Sequence, residues 1–206
     1  MTSGNGATQL QFGSNVIELI LPQRRPMLMV DQVTGFRATP KPRLEASRYI
    51  SANEIFFAGH FPGLHLWPGC LTIEGMGQTS ALLVALMAIR DGFTKSGRTP
   101  DDALDALRNL DLGFRMHPGF RQANAETFLA EMKKHRAAVS VGAAVDVKLL
   151  KPVYAGQRLD YVATIEHNVG ELMRFGVEAS VNGAAVASGT MTGARMYRTM
   201  SLLTEG

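Results

Sequence analysis

The stretch from Gly59 to Gln78, GHFPGLHLWPGCLTIEGMGQ, gathers residue types that can move a proton next to a polarised carbonyl. His60 lies between Gly59 and Phe61, where glycines and prolines (Pro62, Pro68) imply a stiffened loop rather than a helix. A loop histidine reads either as a structural residue bonded to backbone or as a general base. Phe61 beside it would partly exclude water. Glu74 is the only charge in the run Cys70 to Ile89, CLTIEGMGQTSALLVALMAI. A carboxylate in such surroundings needs a hydrogen-bonding partner or is held in its protonated form. It is then either a satisfied structural acid or the partner of His60 in divided acid and base work. The spacing does not show that the two meet; they could meet only across a dimer interface. Pro68-Gly69 reads as a helix start, whose unpaired N–H groups either mark a common terminus or hold a developing oxyanion. Gln78 falls one turn beyond Glu74 on the same helix face, placed to orient the acid.

Other chemistries find little support. There is no CxxC, HExxH or GxSxG pattern, the five histidines are scattered, and no GxGxxG follows a strand, so neither a metal nor a nucleotide cofactor is implied. Cys70 is the one cysteine, which rules out an intrachain disulfide and fits a reducing compartment. As a nucleophile it would need His60 or His65 within reach; a small buried hydrophobe is the preferred reading. The net charge of +3 is spread without a dense basic patch, which argues against nucleic acid and suits an acidic carrier protein or a phosphorylated substrate. Methionine is frequent, at 11, and reads as adaptable lining of an apolar cavity or as plain core filler.

The elements that must position these residues follow from pattern. At 206 residues, 46% hydrophobic, the chain fits one domain with an insertion. Residues 1–14, with no basic start or apolar run, read as a flexible tail rather than a signal peptide, and the cytoplasm is expected. Val16–Leu21 is a short helix or strand; Met27–Val33 and Leu44–Ile50 are strands, with Gly35 at the turn between them. The long apolar helix runs from just after Pro68 and Gly69 to about Arg90. It is long enough to span a membrane, but Glu74, Gln78 and the alternating chain around it favour a buried core helix. Asp91–Pro100 reads as loop, Ala103–Leu110 as a short acid-led helix, His117-Pro118-Gly119 as a turn and Ala125–His135 as a further helix. From Ala137 onward the period is two, giving strands over Val139–Lys148, Gln157–His167, Glu171–Val181 and Ala184–Tyr197, with Asn182-Gly183 as a hairpin turn. The fold class is α+β: a curved antiparallel sheet wrapped around a long central helix, with a helical insertion.

The central stretch resembles the signature of the hot-dog-fold β-hydroxyacyl-acyl-carrier-protein dehydratases, G-H-F-P-G-x-P-x-M-P-G-x-L-x-x-E-A-x-A-Q. The upstream LPQRRPMLMVDQV is similar to that family's LPHRYPFLLVDRV, and VDVKLLKPVYAGQRL to its KFRRPVxPGDxL. The resemblance covers about Leu21–Arg90 and Val139–Ala194. It implies a catalytic pair of His60 and Glu74 drawn from opposite subunits of a dimer. It also implies a thioester carbonyl held at the Gly69 amide, support from Gln78 and Phe61, and no cofactor. The implied reaction is dehydration of (3R)-3-hydroxyacyl thioesters, linked to acyl carrier protein or coenzyme A, to trans-2-enoyl thioesters. The implied assembly is a homodimer or a higher oligomer, without nucleic acid or a membrane span.

The sequence departs from the family pattern in places. Gln23 stands where the family has His, His65 where it has Pro, and Trp67 where it has Met. Gly75 and Gly77 replace two alanines, which would loosen the helix near the acid or admit substrate. An insertion over about 92–121 would reshape the tunnel mouth or the carrier-docking face. An isomerase or thioesterase on the same fold, and a non-catalytic acyl-binding subunit, remain as alternative readings.

Overall fold

The computed structural model describes residues 10–117 and 140–195. Its elements run β1 (Phe12–Gly13), α1 (Ser14–Ile20), β2 (Gln32–Arg37), β3 (Arg43–Tyr49), a 3-10 turn (Ile55–Ala58), α2 (Gly69–Lys95), α3 (Pro100–Met116), β4 (Ser140–Leu149), β5 (Arg158–Val169), β6 (Leu172–Val181) and β7 (Ala184–Arg195). The strands form one antiparallel sheet in the order β1-β2-β3-β5-β6-β7-β4. The helix α2 packs against β3 to β7, the arrangement of a sheet around a central helix that the sequence implies.

The burial pattern of α2 explains its composition. Leu82, Leu83 and Val84 are consecutive and all buried, so no face of this segment is left to water. Each large apolar side chain fully buried contributes roughly 1.5–3 kcal/mol. The helix is long and apolar enough to cross a bilayer, but 61% of that window is buried within the fold. It is the core helix of a sheet-wrapped protein.

Several boundaries differ from the sequence reading. The tail expected over 1–14 does not hold from Leu10 on: Leu10 and Phe12 are fully buried, and Phe12 pairs with Val33. Residues 1–9 lie outside the described residues. The strand expected over Met27–Val33 begins only at Gln32, because the backbone of Met27 and Met29 bonds to the Gln78 side chain instead of to a neighbouring strand. Gly35 is inside β2, beside a bulge, and not at the turn. A Cβ there would lie 2.9 Å from Glu45 Oε2 across the strand pair, so a larger residue would displace the end of that side chain.

The insertion is helical and more ordered than expected: α2 runs on to Lys95, and α3 extends to Met116. His117 caps α3, while Pro118, Gly119 and the helix expected over Ala125–His135 fall outside the described residues. The β6–β7 turn at Asn182-Gly183 has positive φ at both residues, 50° and 80°, as a tight hairpin of this kind requires.

Candidate active site

His60 is delivered by the 3-10 turn. Its N–H donates to Phe56 O at 3.0 Å, and its ring lies stacked on Phe61 at 4.4 Å between centroids. Nδ1 sits 3.1 Å from Leu66 O. A carbonyl oxygen only accepts, so Nδ1 carries the proton in the neutral ring and Nε2 keeps its lone pair. The loop thus leaves His60 Nε2 able to accept a proton. Phe61 stacks as a partial shield, yet it is itself 53% exposed.

The loop is pinned to the turn between β4 and β5. Trp67 N–H donates to Val153 O at 2.8 Å and Ala155 N–H to His65 O at 3.1 Å. Trp67 is buried edge-on against Phe56 and Phe57. Pro68 then serves as N-cap of α2 without any side-chain cap, so the first amides of the helix point outward unclaimed by a side chain. A Cβ on Gly69 would fall 2.3 Å from Leu149 Cδ1, so β4 lies directly against this helix start.

His60, Trp67, Gly69, Thr72, Leu149 and Lys151 line one cavity of about 300 Å³. It brings the candidate base and the helix N-terminus together. Backbone N–H groups at such a terminus favour negative charge on a bound oxygen.

Glu74 does not line that cavity. The structure corrects its expected setting: it is half-buried rather than enclosed. It has the expected partner, since Gln78 Nε2 donates to Glu74 Oε1 at 2.8 Å. Gln78, only 2% exposed, also donates to Met27 O at 2.7 Å and accepts from Met29 N–H at 2.8 Å. Its amide is therefore fixed, and it fixes the acid. Cys70, expected to be buried, is exposed in the first turn of α2. Among the described residues no three His, Cys, Asp or Glu side chains gather as a metal site.

The sequence reading missed Lys151 and Thr72 in the cavity wall, and above all Arg48. Arg48 is 1% exposed and bonds to Leu28 O, Asp31 and Glu54. The signal was present: in β3, Leu44, Ala46 and Arg48 share the core-facing phase of a period-two strand. A charge there requires an anionic partner nearby.

The fold matches solved structures of the same architecture. The dehydratase heterocomplex ApeI:P from Xenorhabdus doucetiae superposes with a TM-score of 0.54 at 15% identity, over 92% of this chain and 97% of that one. Cj0977, a sigma28-regulated virulence protein from Campylobacter jejuni, does so with a TM-score of 0.52 at 10% identity, over 91% and 92%. These define the class as a hot-dog fold.

Sequence relationships are closer. Residues 21–106 match the FabA-like domain. A 3-hydroxyacyl-[acyl-carrier-protein] dehydratase FabZ of Helicobacter pylori strain 26695 is 30% identical over 179 residues, 87% of each chain. Its counterpart from Polynucleobacter necessarius is 28% identical over 186 residues, 90% of this chain and 94% of the relative. The chain belongs to the hot-dog-fold dehydratase family that includes FabZ.

Proposed function

We propose that this protein dehydrates (3R)-3-hydroxyacyl thioesters, carried by an acyl carrier protein, to trans-2-enoyl thioesters. The observation that carries the reading is the shared cavity of His60, with Nε2 free to accept a proton, and the uncapped start of α2 at Gly69. With the thioester carbonyl at the Gly69 amide, negative charge building on its oxygen is stabilised. His60 Nε2 takes the C2 proton. Glu74 gives a proton to the C3 hydroxyl, the C3–O bond breaks, water leaves, and the C2–C3 double bond forms. The proton on His60 then returns through solvent to restore Glu74.

Since Glu74 is absent from the wall of the cavity holding its own His60, we propose that each site takes its acid from the partner subunit of a homodimer. The exposed apolar edge of β4, next to the cavity through Leu149, supports that assembly. Lys151 at the wall, and the net charge of +3, suit an acidic carrier bearing its acyl chain on a phosphorylated arm. A reducing cytoplasm would keep the exposed Cys70 as a thiol.

The test is ultraviolet detection of enoyl-thioester formation from 3-hydroxyacyl carrier protein and 3-hydroxyacyl-coenzyme A of several chain lengths. His60→Ala and Glu74→Ala are each expected to lower kcat by about 10²–10⁴, the range for a positioned acid or base. Both should sediment as the wild type does. Wild-type protein that binds acyl thioesters but turns none of them over would reject the catalytic reading, and free thiol without enoyl product would make it a thioesterase.

A further inference from the structure

Arg48 has the lowest exposure of any charged side chain in the core, at 1%. Its Nη1 donates to Leu28 O at 2.8 Å and lies 3.4 Å from Asp31 Oδ1. Its Nη2 donates to Glu54 Oε1 at 2.6 Å. Its guanidinium carbon stands 5.5 Å from the centroid of the Trp67 ring. Asp31 in turn accepts from Arg25 Nη2 at 2.6 Å and from Tyr49 N–H at 2.7 Å. Two cations and two carboxylates therefore balance, which allows a guanidinium to sit almost without water.

Each limb of this cluster ends at a different part of the candidate site. Leu28 belongs to the segment whose Met27 and Met29 backbone grips Gln78, and Gln78 holds Glu74. Glu54 is the N-cap residue of the 3-10 turn that delivers His60. Trp67 follows Leu66, whose carbonyl sets the His60 tautomer, and precedes Pro68 and Gly69 at the helix start.

We infer that Arg48 is a positioning residue: one buried cation sets the base and the oxyanion-binding amide of its own cavity and, through Gln78, holds the acid that this copy lends to the cavity of the partner. It touches no reacting atom. Lysine is expected to replace it poorly, because a single ammonium lacks the planar fork that reaches Leu28 O, Glu54 and the indole face together. A misplacement of about 1 Å in such a constellation costs on the order of 10²-fold in rate. The inference rests on the proposed dehydration for its kinetic consequence and on the structure alone for its mechanical one, so each has its own measurement.

The kinetic arm compares Arg48→Lys with the triple variant Arg48→Met, Asp31→Asn, Glu54→Gln, which removes the buried charges together. Arg48→Lys is expected to lower kcat by about 10- to 100-fold with little change in KM. The triple variant should melt near the wild type yet keep the low kcat. Recovery of wild-type kcat together with wild-type melting would show a merely structural cation and overturn the inference.

The mechanical arm is amide hydrogen exchange in full-length Arg48→Lys. Met29, His60 and Trp67 should lose protection together. Loss confined to the segment around Leu28, or no loss, would overturn the inference whether or not the protein is a dehydratase.

Discussion

A Cβ on Gly75 would lie 2.4 Å from both Cζ and the hydroxyl oxygen of Tyr161. The glycine next to Glu74 therefore opens no path for substrate, one of the two effects its departure from the family pattern suggests; the ring of a β5 tyrosine fills its place. Alanine would favour the helix by about 1 kcal/mol. Overpacking against a fully buried ring typically costs about 1–3 kcal/mol, and the ring has no flexible end that could yield. Gly75→Ala is thus expected to lower stability in urea denaturation, and Tyr161→Leu added to it should recover part of the loss. A double-mutant cycle that is strictly additive would disprove the contact.

The Tyr161 hydroxyl is buried and finds no hydrogen-bond partner among the described residues, and burial pushes its ionisation well above the ordinary tyrosine range. Tyr161→Phe removes that unpaired group and should raise stability by about 1 kcal/mol. The sign with pH follows from proton counts. Above about pH 10 the unfolded chain has released the proton that the folded chain keeps, so stability falls by up to roughly 1.4 kcal/mol per pH unit. Urea midpoints between pH 9 and 11 should fall more steeply for the wild type than for Tyr161→Phe.

Elements before the insertion were legible where one pattern dominated. The start of α2 followed from Pro68-Gly69, and Glu74 with Gln78 followed from the spacing of one turn. The end of α2 was not legible, since Asp91-Gly92 looks like a loop. In the folded chain Asp91 pairs with Lys95 at 2.6 Å, and Gly92 is buried against the core, so the helix passes through both. The stop comes at Ser96 and Gly97, the latter with φ of 79°. Thr99 and Asp102 then form a capping box that starts α3.

The insertion helix docks on α1, β1 and α2 rather than lining the His60 cavity. Its anchor is the buried Asp111, which accepts from Gly13 N–H at 2.7 Å and from Arg115 Nε at 2.6 Å. No sequence pattern could reveal a bond between residues 98 positions apart. Asp111→Ala strips the partner from a backbone donor and a cation and should cost about 1–3 kcal/mol. It should speed amide exchange in β1 and α1 while leaving kcat within about threefold, because Asp111 holds β1 to α3 and neither element lines the His60 cavity. A loss of turnover matching that of His60→Ala would place the insertion in the site after all.

At the scale of the whole molecule, the antiparallel wrap follows from the order of strands, helix and strands, but that order does not say which edge stays open. Among the described residues β4 pairs with β7 alone, and no described strand covers its other side. Such an edge invites another strand. Val145 and Leu149 are each 55% exposed along it, an apolar stripe that a single copy leaves uncovered. A two-fold axis at Val147 would pair β4 with its own copy and set Asp146 opposite Lys148 of the partner subunit, with Val145 opposite Leu149 of the partner subunit. Opposite charges in cross-strand positions contribute roughly 0.2–1 kcal/mol each, and like charges cost similar amounts. The two-fold repeats the pair, so Asp146→Lys should raise the dimer dissociation constant by about tenfold or more, a difference of about 1.4 kcal/mol. Sedimentation velocity would read the change. Turnover should fall with it at low protein concentration, because in the proposed mechanism Glu74 of one copy serves the His60 cavity of the other. The charge swap Asp146→Lys with Lys148→Asp should restore both dimer and rate. Unchanged association in Asp146→Lys would rule out this register, and unchanged turnover in a dissociated protein would rule out a site shared between subunits.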